Sequence, residues 1–224
     1  MTLQQLKDNF ELCMAKTKDF VDQFPWESSE AYAQWLSQSY FFVSHSTRLL
    51  ALSAAHATFT QGNLHKRMLE HVAEEIGHEM IAANDLKQMG RNIKDFSEMR
   101  ETQAFYRNQY FHIQNHGSEA FVGYVLFLEG LACTKGFDIM KRISAAHGEK
   151  ACNFVRVHAE LDQDHLKSAF ELVDGLDPSS FALISSSMME SCFFYERMLE
   201  DIMFSVLPKY AKLPKAELPT MSLY

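Results

Sequence analysis

Two stretches of the chain, His71-Val-Ala-Glu-Glu75-Ile-Gly-His78 and His158-Ala-Glu-Leu-Asp162-Gln-Asp-His165, share one spacing: histidine, three residues, an acid, two residues, histidine. Imidazole and carboxylate together are the donor set of many transition-metal sites. On an α-helix each residue turns the chain by roughly 100°, so steps of four, three and seven fall close to one line. Each stretch is therefore expected to point two imidazoles and a carboxylate the same way. Glu74 is an alternative to Glu75, because an acid four residues before His78 is also within reach. A further acid, Glu129, lies inside the run Phe-Val-Gly-Tyr-Val-Leu-Phe-Leu-Glu-Gly-Leu-Ala. A lone carboxylate there is costly to bury unless it is protonated, hydrogen-bonded or bound to a metal. The candidate ligands are thus His78, His158 and His165, with Glu75, Glu129 and Asp162, and His71 in reserve. This mixed set suits iron or manganese, and also zinc. A single histidine on a half-buried face is ordinarily structural. Two matched sets in a chain with ten histidines are hard to ascribe to chance.

The elements that must position these residues read as helix throughout. The first helix is expected over about 3–23, ending before Phe24-Pro25. The second starts near Ser28-Ser29, with Glu30 in its first turn, and runs to about Thr58. The third starts after Gly62-Asn63, a good N-cap, and stops at Met89-Gly90, where a glycine can end a helix. The fourth covers about 96–115, the fifth starts with Ser118 as N-cap and ends at His147-Gly148, and the sixth runs from there to Gly175. Asp177-Pro178 opens the seventh, an N-cap followed by proline at the first helical position, which reaches about Val206. No Asn-Gly or Asp-Gly turn joins two alternating runs, so strands are not expected. Long helices with very short loops imply an all-α up-down bundle of seven helices in one domain, residues 1–206, with an extended tail over 207–224. On the third helix Leu69, Val72, Ile76, Met80 and Ile81 are the expected apolar stripe, with the ligands beside it. On the sixth, Phe154, Val155, Val157 and Leu161 take that role, and Glu160 and Asp164 fall on other faces.

The 224 residues are 47% hydrophobic, enough for a sizeable core, and carry a net charge of −8. Without a run of Lys and Arg, nucleic acid is not an expected partner. Cys13, Cys133, Cys152 and Cys192 lie far apart and form no CxxC pair, which argues against a zinc ribbon or disulfide framework and suits a reducing compartment. The N-terminus lacks the basic start and apolar core of a secretory signal. The longest apolar run, Phe121 to Ala132, is broken by Glu129 and too short to span a bilayer. A cytoplasmic protein with no membrane partner is expected.

The pattern His71-x2-Glu-Glu-x-Gly-His78-x6-Asp85-Leu86-x2-Met-Gly, with Phe154-x3-His158-x3-Asp162-x2-His165, resembles the haem-oxygenase-like non-haem iron proteins. This is the iron-containing redox enzyme group, related to the chlamydial protein associating with death domains, to di-iron oxidases that desaturate, decarboxylate or N-oxygenate small substrates, and more distantly to TenA. The resemblance covers Ala31 to about Leu176, and its most specific part is the second His-x3-Asp-x2-His element. It implies a haem-oxygenase-like seven-helix bundle with ligands from three core helices. Carried over residue by residue, the ligands are Glu75, His78, Glu129, His158, Asp162 and His165. Some members place a carboxylate about two turns before the first ligand histidine, His78, where this chain has His71, so the second metal position is the point of departure. The implied chemistry is a one- or two-iron site that uses O2 on a small metabolite, with an electron donor, with Glu75 and Glu129 the carboxylates expected to take part in catalysis. Homodimerisation rests on fold analogy alone.

The pocket lining is read from two further helices. Tyr40, His45 and Arg48 on the second could face a cavity, with Arg48 either gripping a substrate carboxylate or pairing with an acid of the bundle. On the seventh, Met188, Met189, Cys192, Phe193 and Tyr195 are first of all core residues, with Tyr195 a pocket candidate and Glu190 an acid that could stand behind the ligands. Three other functions compete. A haem oxygenase needs a flexible glycine-rich helix over the haem, whereas this chain has only Gly130 and Gly136 and places acids where a porphyrin edge would lie, so haem is not the expected cofactor. A TenA-type thiaminase needs an activated cysteine, and neither Cys133 nor Cys152 has a histidine placed to activate it. A metal-binding bundle without turnover is the third.

Overall fold

The computed structural model describes residues 1–206; the tail expected over 207–224 lies outside the described residues. Among the described residues nine α-helices occur in chain order: α1 (Leu3–Gln23), α2 (Ser29–Val43), α3 (Ser46–His56), α4 (Gly62–Glu75), α5 (His78–Gln88), α6 (Arg100–Asn115), α7 (Ala120–His147), α8 (Asn153–Asp174) and α9 (Phe181–Val206). No strand is present among the described residues. Seven helical passes account for all nine, because two expected helices are each broken once. The second breaks at Ser44-His45 into α2 and α3, and the third at Ile76-Gly77 into α4 and α5.

Local chemistry explains most boundaries. Thr2 caps α1 by accepting from the Gln5 amide, and the Gln5 side chain returns to the Thr2 amide. Ser28 caps α2 by accepting from the Ala31 amide. Asp177 accepts from Ser179 and opens a short 3-10 turn, Pro178–Ser180, before α9 begins. The helix expected from about 96 begins at Arg100, after a 3-10 turn over Ile93–Asp95. Asn63 is not a cap, since α4 already starts at Gly62. Nor does Ser118 cap α7, whose first turn has no side-chain cap.

Helix α7 is the centre of the bundle, flanked by α8, α9, α1 and α6. It is long and apolar enough to cross a membrane by composition, although the run singled out in the sequence is short. Of its most apolar stretch, 72% is buried against other helices, as in a core helix. Two contacts fix how its neighbours sit. A Cβ on Gly136 would stand 2.7 Å from the Ala159 Cβ, so only glycine lets α7 approach α8 this closely. Asp85 on α5, fully buried, accepts from the Phe154 amide at 2.7 Å and from the Asn153 amide group at 3.0 Å. It caps the start of α8 and ties α5 to it.

Candidate metal centre

The break between α4 and α5 changes how the first motif works. Gly77 has φ +89°, a left-handed conformation that glycine adopts at little cost. The chain turns there, so His71 and Glu75 end one helix while His78 begins the next. The three side chains still meet: His71 Nε2 lies 3.7 Å from Glu75 Oε1, and His78 Nδ1 lies 3.3 Å from the same oxygen. Of the expected apolar stripe, only Val72 and Ile81 pack against the core. Leu69, Ile76 and Met80 are exposed, and the buried face of α4 is Leu64, Met68, His71 and Glu75. The ligand candidates themselves occupy the core positions.

The second motif stays on one helix. Asp162 and His165 are buried, with Asp162 Oδ1 3.3 Å from His165 Nδ1. Glu160, Leu161 and Asp164 face solvent, as expected for the two acids and not for the leucine. His158 Nδ1 stands 2.8 Å from the Phe154 carbonyl. A carbonyl only accepts, so Nδ1 carries the proton and Nε2 keeps its lone pair for a ligand.

Across the helices the two motifs converge. The His78 and His158 rings are 5.0 Å apart and the His71 and His165 rings 4.9 Å. Two groups offer donor atoms that all lie within 4.8 Å of one another: Glu75, His78 and His158, and His71, Glu74 and His165. Glu129 joins the second group, its Oε1 being 3.4 Å from His71 Nε2. Glu74, first considered only as a substitute for Glu75, thus faces the second histidine pair.

The donor set fits a divalent transition metal. Its nitrogen–oxygen separations of 3.3–3.7 Å are long for hydrogen bonds. Two ligand atoms each about 2.1 Å from one ion stand about 3.0–3.4 Å apart at octahedral to tetrahedral angles. Both oxygens of Glu129, His78 Nδ1 and His165 Nδ1 are buried without a hydrogen-bond partner among the described residues. Such orphaned groups cost stability unless something satisfies them. The electrostatics agree. Burial, with Asp162 next to it, pushes the Glu129 carboxyl well above the usual carboxylate range. Burial also acts to raise Glu75, but His71 and His78 outweigh it and hold this carboxyl well below that range. Contact with Glu75 raises His78, and contact with Asp162 raises His165.

A cavity of about 120 Å³ opens beside these groups. His71, Glu75, Glu129, His158 and Asp162 form its polar side; Trp35, Phe42, Leu50, Phe121, Val125 and Ile139 are among its apolar walls. Among the described residues, no Lys or Arg lines it. Tyr124 is a lining residue that the sequence reading missed; its buried hydroxyl has no partner among the described residues. The available signal was a phenol hydroxyl in the apolar stretch of α7 that also carries Glu129.

Of the pocket candidates, Tyr195 lines the cavity, and its hydroxyl accepts from Trp35 Nε1 at 3.0 Å. The other four stand elsewhere. Tyr40 packs edge-on against Phe41. His45 stacks on Tyr106 and its Nδ1 lies 3.0 Å from the Tyr110 hydroxyl; burial lowers its pKa. Arg48 is exposed and donates to the Ser44 carbonyl, so it grips neither a cavity ligand nor a bundle acid there. Glu190 accepts from His112, Asn108 and Ser186 on the seam between α6 and α9. Met188 and Cys192 are core, whereas Phe193 is 55% exposed.

A family model described as iron-containing redox enzyme matches residues 33–189. Among solved structures, the chain is similar to a haem-oxygenase-like domain of unknown function from Shewanella denitrificans OS217, with a TM-score of 0.79 and 17% identity over 92% of this chain and 96% of that one. A TenA homologue from Pseudomonas syringae pv. tomato DC3000 gives a TM-score of 0.76 and 15% identity over 89% and 91%. A CADD-like protein of unknown function from Nostoc punctiforme PCC 73102 gives 0.72 and 14% over 91% and 97%. Identities this low establish the haem-oxygenase-like fold and nothing finer. No curated protein matches the chain.

Proposed function

The chain belongs to the iron-containing redox enzyme family, and from that premise we propose that it is a non-haem, di-iron oxidase or oxygenase using O2 on a small substrate with an apolar group. One observation carries the reading: both histidine–acid motifs and Glu129 converge on the polar side of a single apolar cavity. In this assignment Glu75, His78 and His158 hold the inner ion. Glu129, Asp162 and His165, with His71 beside them, hold the outer one. Iron(II), when bound, supplies the electrons for O2 reduction. The protein's own part is to hold and orient. The Phe154 carbonyl fixes the His158 tautomer, and Asp85 fixes the helix start from which His158 projects. The aromatic walls exclude water from the reacting side. With three acids and no cation among the described lining residues, the part of the substrate that enters the cavity is uncharged. The Tyr124 hydroxyl, which has no partner among the described residues, is a polar group available to meet it. An electron donor and a cytoplasmic setting, consistent with four free cysteines, belong to the same reading, as does a homodimer by fold analogy.

A TenA-type hydrolase is the second reading, favoured by the TenA-like neighbours. It requires an activated thiol. Burial pushes the Cys133 thiol up to about 12 and raises Cys152 as well, the opposite of activation. Oxygen uptake separates the readings. Protein loaded anaerobically with iron(II) is expected to consume O2 faster than the same iron free in buffer, and the His158→Ala variant is not. Uptake no faster than free iron, across a panel of uncharged apolar substrates, would count against the oxidase.

A further inference from the structure

Glu74 sits on the solvent side of the outer ion's position. Its Oε2 is 2.9 Å from Arg67 Nη1 and 3.4 Å from His165 Nε2. The oxygen nearest the ligand histidine is therefore the one already engaged. Arg67 lies one helical turn before His71 and two before Glu74 on α4. Its side chain is only 14% exposed, against 40% for Glu74, so the cation is the fixed partner and the carboxylate the movable one. A guanidinium does not deprotonate in a protein, and its charge acts on both Glu129 and His165. The inner group is different: the contacts of Glu75 are the imidazoles of His71 and His78.

We propose that Arg67 is a latch on the outer metal position: it holds the Glu74 carboxylate out of coordination, and the second ion binds by taking Glu74 from Arg67. The proposal rests on the metal-centre reading above. Two effects of Arg67 act in the same direction. It occupies a ligand oxygen, and it repels a dication that approaches His71 and His165. Loading is thus sequential, inner position first, and Glu74 joins the coordination sphere only when the outer ion arrives. Arg67 is a positioning residue, acting through Glu74.

Calorimetric titration with zinc(II) alone, a redox-silent probe, tests this on the full chain. The parent is expected to bind one ion tightly and a second more weakly. Arg67→Leu is expected to tighten the second event by about tenfold, the size of one partly exposed charged hydrogen bond, and to leave the first within about twofold. Arg67→Gln, a gentler change, moves the same way and serves if the leucine variant does not fold. Adding Glu74→Gln to Arg67→Leu should remove most of the gain, leaving only the part due to relieved repulsion. Lys66→Leu removes a neighbouring exposed cation that pairs with Glu70, and should change little. One event in the parent becoming two in Arg67→Leu also supports the latch. Weaker second binding in Arg67→Leu overturns it, because Arg67 would then be orienting Glu74 as a standing ligand. An equal shift in Lys66→Leu overturns it in favour of general charge, as does a single unchanged event in every protein. Failure of the first event as well would instead bring down the metal centre itself.

Discussion

Glu129 is the residue whose replacement separates the cost of the centre from its use. In the metal-free protein its carboxyl is buried among acids, with neither oxygen hydrogen-bonded to a described residue. Glu129→Met keeps the length and volume and removes the polar group. Relief of an orphaned buried acid is worth about 1–3 kcal/mol, which raises the unfolding midpoint of a chain this size by about 2–10 °C. The pH dependence has a definite sign. Burial raises the folded-state pKa of Glu129, so the native protein holds this proton more tightly than the unfolded chain. Parental stability contributed by that proton is full below the unfolded glutamate value of about 4.3 and falls as pH rises above it. The advantage of Glu129→Met over the parent should therefore widen from pH 4.5 to pH 7. Metal reverses the order. Zinc at a hundredfold excess over a site's dissociation constant stabilises the protein by about 2.7 kcal/mol for that site, and the variant, lacking a carboxylate of the outer group, should lose the outer ion's share of the gain. Thermal unfolding with chelator and with zinc measures both effects. A metal-free variant less stable than the parent at pH 7, or one retaining the full zinc shift, would refute the reasoning.

Other perturbations probe the supports of the centre. Asp85→Ala removes the cap on α8 and should cost about 1–2 kcal/mol in urea unfolding, with weaker zinc binding; unchanged zinc affinity would show that the α5–α8 tie does not position His158. Gly136→Leu forces α7 away from Ala159 and should destabilise by about 1–3 kcal/mol, where a neutral outcome would mean that the helices separate freely. Tyr124→Phe deletes an unpartnered hydroxyl and should leave stability within about 0.5 kcal/mol or improve it by up to about 1 kcal/mol; a clear loss of stability by chemical denaturation would reveal a hydrogen bond at rest.

The seven helical passes were legible because the punctuation is local: Ser28, Asp177-Pro178 and the glycines after the long runs each act through nearby backbone. The break at Ile76-Gly77 was not, since an isolated glycine inside a periodic stretch is compatible with a continuous helix. The motif spacing brought His71, Glu75 and His78 together in prospect. It did so for a reason the structure replaces, because the third ligand starts a new helix. The apolar stripe of α4 was misread for a related cause. Hydrophobic periodicity assumes that apolar residues face the core, and here His71 and Glu75 face it while Leu69 and Ile76 do not. Glu129 stood out as the one acid in an apolar run. Arg67, Glu74 and Tyr124 take their roles from contacts across helices or into a cavity, which no spacing along one helix encodes. Arg48 and Glu190 show the converse, conspicuous in sequence yet engaged away from the cavity, the first by its own helix turn and the second by α6.

The central claim is that these side chains hold iron. Its most direct test is the iron content per chain of protein loaded with iron(II) under anaerobic conditions and freed of loose metal, compared with His158→Ala and Glu129→Met. Between one and two irons per chain are expected in the parent, with a large loss from the inner position in His158→Ala and from the outer position in Glu129→Met, by analogy with bundle carboxylate sites. Equal, near-zero iron in all three proteins would contradict the account.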